Sequence, residues 1–211
     1  MYHMEDFVKV YIFEGEDLTE PCLMPKWRKE EIERAHPFEQ RDKVLIWRAL
    51  TLAVKDAFGE DLNELHPHKI ITSKLVMDKY HVSLSHSGDR FMVGLSSQNI
   101  GVDIMKNSEY RYYSLLDNKS MWSDAEKKLL FKKEDNIDLY FEMWTKKEAL
   151  YKLLDPGFPF KENKNKVDST KNPDLFLGGS LECKYHFFSV ASELFKRGIT
   201  LEIITKLELD K

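Results

Sequence analysis

The 211-residue chain lacks the features that mark secreted, membrane-spanning or zinc-binding proteins. Its two cysteines, Cys22 and Cys183, provide neither a disulfide framework nor zinc-ligand spacing, and they fit a reducing compartment. The N-terminus lacks the basic segment followed by an apolar segment that marks a signal peptide. No apolar run approaches the roughly 20 residues that a membrane-spanning helix needs. These absences predict a cytoplasmic protein without a membrane partner.

The chain also lacks a large excess of either charge sign, because its formal net charge is only −4. A weakly acidic chain is not expected to bind nucleic acid in bulk. The sequence contains no Gly-x-x-x-x-Gly-Lys-Ser/Thr loop, which disfavours an unrelated magnesium-dependent phosphotransferase that cradles a nucleotide. What is present is ordinary globular composition, with 42% hydrophobic and 32% charged residues. The length suits two small domains better than one.

Hydrophobic periodicity predicts strands and helices in mixed order. The predicted elements are a strand at 8–13, helices at 26–36 and 38–58, strands at 80–85, 91–96 and 100–104, a capped helix from 123, a helix at 137–154, and strands at 187–191 and 199–205. Residues 155–180 hold three prolines and predict a long loop. This order predicts an α+β fold of two α/β halves, 1–104 and 105–211.

Three short segments contain residues suited to phosphate chemistry. On a helix, Trp144, Glu148 and Lys152 are each four residues apart and share one face. The carboxylate could hold Mg²⁺ while the ammonium neutralises a phosphate oxygen. The plainer interpretation is a surface Glu–Lys pair that stabilises the helix by about 0.3–0.5 kcal/mol.

The other two segments are weaker when each is taken alone. Asp103 ends an apolar strand in Gly-Val-Asp, which suits either a metal ligand or an ordinary strand exit. His86 is flanked by serines in Ser-His-Ser-Gly, where it could donate hydrogen bonds to a phosphate or serve only as a turn residue. The turn predicted at 86–89 would join two strands into a hairpin.

Taken together and in this order, the three segments resemble the signature of the Sfp-type 4′-phosphopantetheinyl transferases. The resemblance extends over about residues 25–190. It implies two similar α/β halves related by a pseudo-twofold axis, with coenzyme A bound in the cleft between them. It also implies that Asp103 and Glu148 bind Mg²⁺, that Lys152 contacts the pyrophosphate, and that His86 contacts a phosphate, with Ser85 beside it.

The resemblance extends to three further positions and departs at others. Lys74 corresponds to a family lysine near the adenine and phosphates, Arg34 to a basic residue for the 3′-phosphate, and Glu126 to a glutamate near the reacting centre. Met105 stands where many bacterial members have a third acidic ligand, although animal-type members share the Asp-Ile-Met-Lys sequence. Ser-Lys-Leu replaces Gly-Lys-Pro at 73–75, and Leu-Leu-Asp-Pro-Gly-Phe at 153–158 replaces a glycine-rich stretch.

The implied reaction moves phosphopantetheine from coenzyme A to a serine of an acyl or peptidyl carrier protein and releases 3′,5′-ADP. Glu148 is the first candidate for the base that takes the serine proton, and Glu126 or a metal-bound water is the alternative. A non-catalytic module that binds coenzyme A or a carrier is the competing hypothesis. We expect a monomer.

Carrier docking needs a local basic patch, because the family's carriers are typically acidic and this chain is acidic too. The candidate patch is the lysine-rich segment 127–133, in which Lys128 and Lys132 would lie one helical turn apart while Ala125 and Leu129 face inward. A solvated helix face is the plainer interpretation.

Overall fold

The computed structural model describes residues 5–19, 22–62, 69–71, 74–76, 80–108, 119–132, 137–154, 167–181 and 186–205. The helices are α1 (Lys26–Arg34), α2 (Pro37–Phe58), α3 (Asp124–Leu130) and α4 (Ile137–Leu154). The strands are β1 (Val8–Glu14), β2 (Lys69–Ile71), β3 (Lys74–Val76), β4 (His81–Ser87), β5 (Arg90–Ser96), β6 (Ile100–Lys106), β7 (Phe176–Leu181), β8 (His186–Ser192) and β9 (Leu201–Ile204). Short 3-10 turns lie at 15–18, 119–121, 173–175 and 193–197.

Helix ends follow local chemistry. Gly59 adopts a left-handed conformation with φ of 68° and ends α2, as the periodicity predicts. At the start of α3, the side chain of Ser123 accepts from the backbone of Glu126, whose carboxylate accepts from the backbone of Ser123. This capping box confirms the prediction made from Ser-x-x-Glu.

The strands form two sheets. The large sheet has the order β2-β3-β4-β5-β1-β9, and the small sheet has the order β6-β8-β7. All paired neighbours are antiparallel except β1 and β9, which run parallel. The mixture of mainly antiparallel sheets and helices confirms the predicted α+β class.

The two sheets face each other across an apolar core, and a helix covers the outer face of each. Val10, Met92 and Val102 belong to the core between the sheets. Trp47 and Leu50 of α2 pack in a second core against the other face of the large sheet. Helix α4 packs on the small sheet, chiefly against β6 and β8. The order of layers is therefore helix, large sheet, small sheet, helix.

Side chains join the sheets where β4 runs beside β6. The hydroxyls of Ser83, Ser85 and Ser87 accept hydrogen bonds from the backbone N–H groups of residues 102, 104 and 106, at 3.0, 3.3 and 2.9 Å. These N–H groups lie on the edge of β6 that does not pair with β8, so serine oxygens complete their hydrogen bonding. This connection places Ser85 next to Asp103.

Several sequence predictions need correction. His86 and Ser87 lie inside β4, and the hairpin turn consists of Gly88 and Asp89, because the strand pairing continues to Ser87 and Arg90. The predicted loop 155–180 contains β7 at its end, and residues 155–166 lie outside the described part. Helix α3 ends at Leu130, so Lys132 lies beyond it.

The predicted inward face of α3 is also wrong. Ala125 and Leu129 are exposed, while Glu126 and Leu130 are buried. Hydrogen bonds from Lys147 and Ser169 hold Glu126 inside, so Ala125 and Leu129 face outward.

The division into halves at 104/105 stays a proposal. That boundary falls inside β6, whose seven residues all pair with β8. Strand β9, from the second half of the chain, pairs with β1 in the large sheet. Among the described helices, none is long and apolar enough to cross a membrane.

Candidate active site

Lys152 lies near the end of α4 and turns toward β6. Its Nζ donates to the backbone oxygen of Val102 at 2.8 Å and to Oδ1 of Asp103 at 3.0 Å. The Asp103 side chain is 4% exposed and that of Lys152 is 12% exposed, so the ion pair is largely shielded from solvent. The sequence placed these two residues 49 positions apart, and the fold brings them into direct contact.

Asp103 is held by a second group as well. The hydroxyl of Ser85 donates to Oδ1 at 2.7 Å, the same oxygen that accepts from Lys152. Among the described residues, none donates to Oδ2. The two donors fix Oδ1 and leave Oδ2 for another partner. This arrangement suits a carboxylate that binds a metal.

Close approach of α4 to β6 depends on a glycine. A Cβ on Gly101 would clash with the carbonyl oxygen of Ala149 and would lie 2.6 Å from the backbone nitrogen of Leu153. Any side chain at this position would therefore push the helix backbone away from the strand. The Gly-Val-Asp sequence thus supplies both the carboxylate and the space that lets Lys152 reach it.

Glu148 lies on the same face of α4, one turn before Lys152, and is half-buried. Thr145, three residues earlier, contacts Ser189 of β8 through its hydroxyl at 2.9 Å. Because Thr145 and Lys152 both contact the small sheet, Glu148 lies on the face of α4 that covers the sheet.

Two carboxylates near the contact of α4 with β6 have the ligand chemistry that a magnesium ion prefers. Asp103 and Glu148 offer carboxylate oxygens from two adjacent elements, and Mg²⁺ in proteins commonly takes one or two carboxylates and keeps several waters. Met105 is buried in the same apolar cluster as Trp144, and its side chain has no oxygen to offer. No group of three or more His, Cys, Asp or Glu side chains that could hold a metal occurs in the described segments.

Glu126 is fully buried and fully hydrogen-bonded. Its Oε1 accepts from the backbone N–H and the hydroxyl of Ser169, at 2.9 and 2.7 Å. Its Oε2 accepts from the backbone N–H of Ser123 at 2.8 Å and from Lys147 Nζ at 2.7 Å. Both Glu126 and Lys147 have side chains that are 0% exposed. In this conformation Glu126 joins α3, α4 and the segment at 167–170.

Lys147 is the residue that sequence reasoning missed. Burial lowers its pKa, and the Glu126 carboxylate opposes that shift. Its Nζ also donates to the carbonyl oxygen of Val167 and lies 5.8 Å from the centre of the Trp122 ring. A signal was available, because Lys147 follows Met143 by four residues and precedes Leu150 by three, within an otherwise apolar stripe.

His86 lies on the opposite face of β4 from Ser85, toward α2. Its ring stacks on Phe91 at 5.7 Å between centres, and its Nδ1 lies 3.9 Å from Asp42 Oδ2. The side chain is 44% exposed and therefore accessible to a ligand.

The two remaining predicted contacts, Arg34 and Lys74, lie earlier in the chain. Arg34 is exposed at the end of α1 and pairs with Glu30 at 3.5 Å. Lys74 lies in β3 opposite Ser83, and its side chain lies outside the described part. The structure therefore brings Ser85, Asp103 and Lys152 into direct contact and leaves Arg34 on a surface helix.

Comparisons with known proteins point to one family. Residues 99–201, just under half of the chain, match the model of the 4′-phosphopantetheinyl transferase superfamily. The matched segment contains Asp103, Glu126, Glu148 and Lys152. A relative from Aneurinibacillus migulanus, "4'-phosphopantetheinyl transferase gsp", is 23% identical over 135 residues, which cover 53% of this chain and 54% of the relative. The chain thus spans about half the length of this curated relative. The resemblance predicted from the three motifs is confirmed.

Proposed function

We propose that this protein transfers the 4′-phosphopantetheine group of coenzyme A to a serine of an acyl or peptidyl carrier protein. The observation that supports this most is the contact between Asp103 of β6 and Lys152 of α4, within the segment that matches the transferase superfamily. The coenzyme A substrate, the magnesium requirement and the carrier are parts of the same proposal.

The proposed reaction is a phosphoryl transfer that needs charge stabilisation more than covalent catalysis. The carrier serine oxygen forms a bond to the β-phosphorus, the bond from that phosphorus to the bridging oxygen breaks, and 3′,5′-ADP leaves with the electron pair. Asp103 and Glu148 would hold Mg²⁺, and the bound ion would neutralise charge on the pyrophosphate. Lys152 and His86 donate to phosphate oxygens and stabilise the charge that develops there.

A base must also accept the serine proton, and the candidates are Glu148, Glu126 and a metal-bound water. Glu148 suits this role, because it is half-buried on the face of α4 that also carries Lys152. Glu126 suits it less, because both of its oxygens are already engaged and its side chain is 0% exposed. We therefore assign Glu126 to holding α4 in place rather than to proton transfer.

The test is a carrier panel. Apo forms of fatty-acid, polyketide, nonribosomal-peptide and lysine-pathway carriers are incubated with the protein, coenzyme A and Mg²⁺, and each carrier is weighed by intact mass spectrometry. We expect one carrier class to gain a phosphopantetheine group. The gain should disappear with EDTA and with a carrier whose acceptor serine is alanine. Binding of coenzyme A or of a carrier without any mass gain would favour a non-catalytic module.

A further inference from the structure

Three serines on one face of β4 connect the two sheets by hydrogen bonds to β6. Ser85 makes one contact that Ser83 does not make. Ser83 and Ser85 both accept a backbone N–H from β6 and are both buried, at 0% and 8% exposure. Of these two, only Ser85 also donates to a carboxylate within the described residues, Oδ1 of Asp103, at 2.7 Å. The structure thus contains a matched pair of hydroxyls, one with the carboxylate contact and one without it.

The Ser85 contact completes a clamp around Asp103. Ser85 is anchored to the backbone N–H of Ile104, one residue after Asp103. Lys152 is anchored to the backbone oxygen of Val102, one residue before it. Both anchored groups bind the same oxygen, Oδ1, so the carboxylate is fixed from two sides. Rotation of this side chain would break both hydrogen bonds at once.

We propose that Ser85 is a positioning residue that fixes the carboxylate of Asp103 for binding of Mg²⁺. The sequence had suggested that Ser85 lies beside His86 at a phosphate of coenzyme A. The geometry gives it a different task, because its hydroxyl already donates to Asp103 while accepting from the backbone of β6. The inference rests on the metal site of the proposed function.

Direct measurement of cation binding tests the inference. MgCl₂ is titrated calorimetrically into the full-length protein saturated with coenzyme A, and a titration into coenzyme A alone is subtracted. Loss of a hydrogen bond that orients a metal ligand typically lowers metal affinity by about 10–100-fold. We expect a loss in that range for Ser85→Ala. Ser83→Ala loses the equivalent sheet-bridging bond and should bind Mg²⁺ as the wild type does.

Two further variants separate positioning from folding. Ser85→Thr keeps the hydroxyl, so it should restore Mg²⁺ affinity. Ser85→Cys fills the same space with a weak donor, so it should show the loss even if Ser85→Ala does not fold. Affinity for coenzyme A measured in EDTA should be the same in all folded variants, because Ser85 acts through Asp103.

The outcomes distinguish this inference from the proposed function. Normal Mg²⁺ affinity in Ser85→Ala or in Ser85→Cys would overturn it, as would an equal loss in Ser83→Ala. Absence of a binding signal in the wild type would overturn it too. If no carrier is modified but the Ser85 variants lose Mg²⁺ affinity selectively, the proposed transfer fails and the inference stands. If transfer occurs but the Ser85 variants bind Mg²⁺ normally, only the inference fails.

Discussion

A buried lysine and glutamate hold the C-terminal elements together at the scale of single residues. Removing one member of a buried ion pair leaves the other charge uncompensated, which typically costs about 3–5 kcal/mol. We therefore expect Glu126→Ala to lower the free energy of unfolding by that amount, because Lys147 would stay buried without its carboxylate. Denaturant unfolding followed by circular dichroism measures the change.

The same helix supplies the control for this prediction. Glu142 and Lys146 form an exposed pair four residues apart at 2.6 Å. Such surface pairs contribute only about 0.3–0.5 kcal/mol, so Glu142→Ala should hardly change stability. Equal losses for Glu126→Ala and Glu142→Ala would show that the buried pair has no special stabilising role.

A buried histidine makes the stability of the fold depend on pH. His186 of β8 is 0% exposed, and burial lowers its pKa below 6.5, although Asp89 at 3.7 Å opposes the shift. Between the lowered folded pKa and 6.5, the unfolded chain binds more protons than the folded one. The free energy of unfolding should therefore fall as the pH drops through that window.

The comparison is between the wild type and His186→Gln, each unfolded by denaturant at a series of pH values from about 7 to 5. The wild type should lose more stability than the variant over this range. Parallel pH profiles for the two proteins would mean that His186 titrates with the same pKa in both states.

At the scale of elements, the account depends on how closely α4 approaches β6. Gly101→Ala would place a methyl group against the backbone of Ala149 and Leu153, where no flexible side chain can give way. Overpacking of this kind costs about 1–3 kcal/mol, and more when backbone must move. We expect Gly101→Ala to lower stability by at least that range and to reduce transfer, because the displaced helix carries Glu148 and Lys152.

Gly179→Ala is the matched control, since a Cβ there would lie 3.5 Å from the Phe188 ring, an ordinary contact distance. Thermal unfolding and carrier modification are measured for both variants. A Gly101→Ala protein with wild-type stability and transfer would contradict the proposed dependence on close packing.

The sequence predicts best those elements whose residue pattern is contained in one short segment. Helix α4 matches its predicted range because its apolar stripe and length are properties of one segment. Strand β7 was missed because Gly178 and Gly179 weaken its strand pattern. This segment is extended because it pairs with β8, and that pairing is not visible in the local sequence. The α3 face was wrong because the buried partner of Glu126 lies 21 residues away in α4.

The candidate site shows the same limit. Asp103, Glu148 and Lys152 could be selected from motif order, and the structure brings Asp103 and Lys152 together. The role of Ser85 depends on a contact between two strands that are in different sheets, and the pairing of Lys147 depends on a tertiary contact. The apolar stripe around Lys147 indicates that this lysine is buried, but a single sequence identifies neither its partner Glu126 nor the partner of Ser85.

At the scale of the whole molecule, the small net charge makes local patches decisive for docking. Lys128 is exposed on α3 and Lys132 is exposed just beyond its end. If this surface receives an acidic carrier, Lys128→Glu with Lys132→Glu should raise the apparent KM for the carrier and leave that for coenzyme A unchanged. Added salt should weaken the wild type more than the double variant.

A second pair of lysines, on other helices, controls for net charge. Lys29 is exposed on α1 and Lys55 is exposed near the end of α2. These two helices pack against each other on the large-sheet side, whereas α3 packs against α4 on the small-sheet side. Lys29→Glu with Lys55→Glu changes the total charge equally and should leave carrier kinetics unchanged at low salt. The docking prediction fails if both double variants raise the carrier KM alike, or if neither does.

The most direct test of the central claim is the intact mass of a carrier after reaction with the wild type and with Asp103→Asn. This substitution keeps the shape of the side chain and removes the charge that would hold Mg²⁺. We predict that the wild type adds one phosphopantetheine group per carrier and releases one 3′,5′-ADP, and that Asp103→Asn at saturating Mg²⁺ leaves the carrier mass unchanged. A mass gain by Asp103→Asn at a near-normal rate, or no gain with the wild type on any carrier class, would contradict the account.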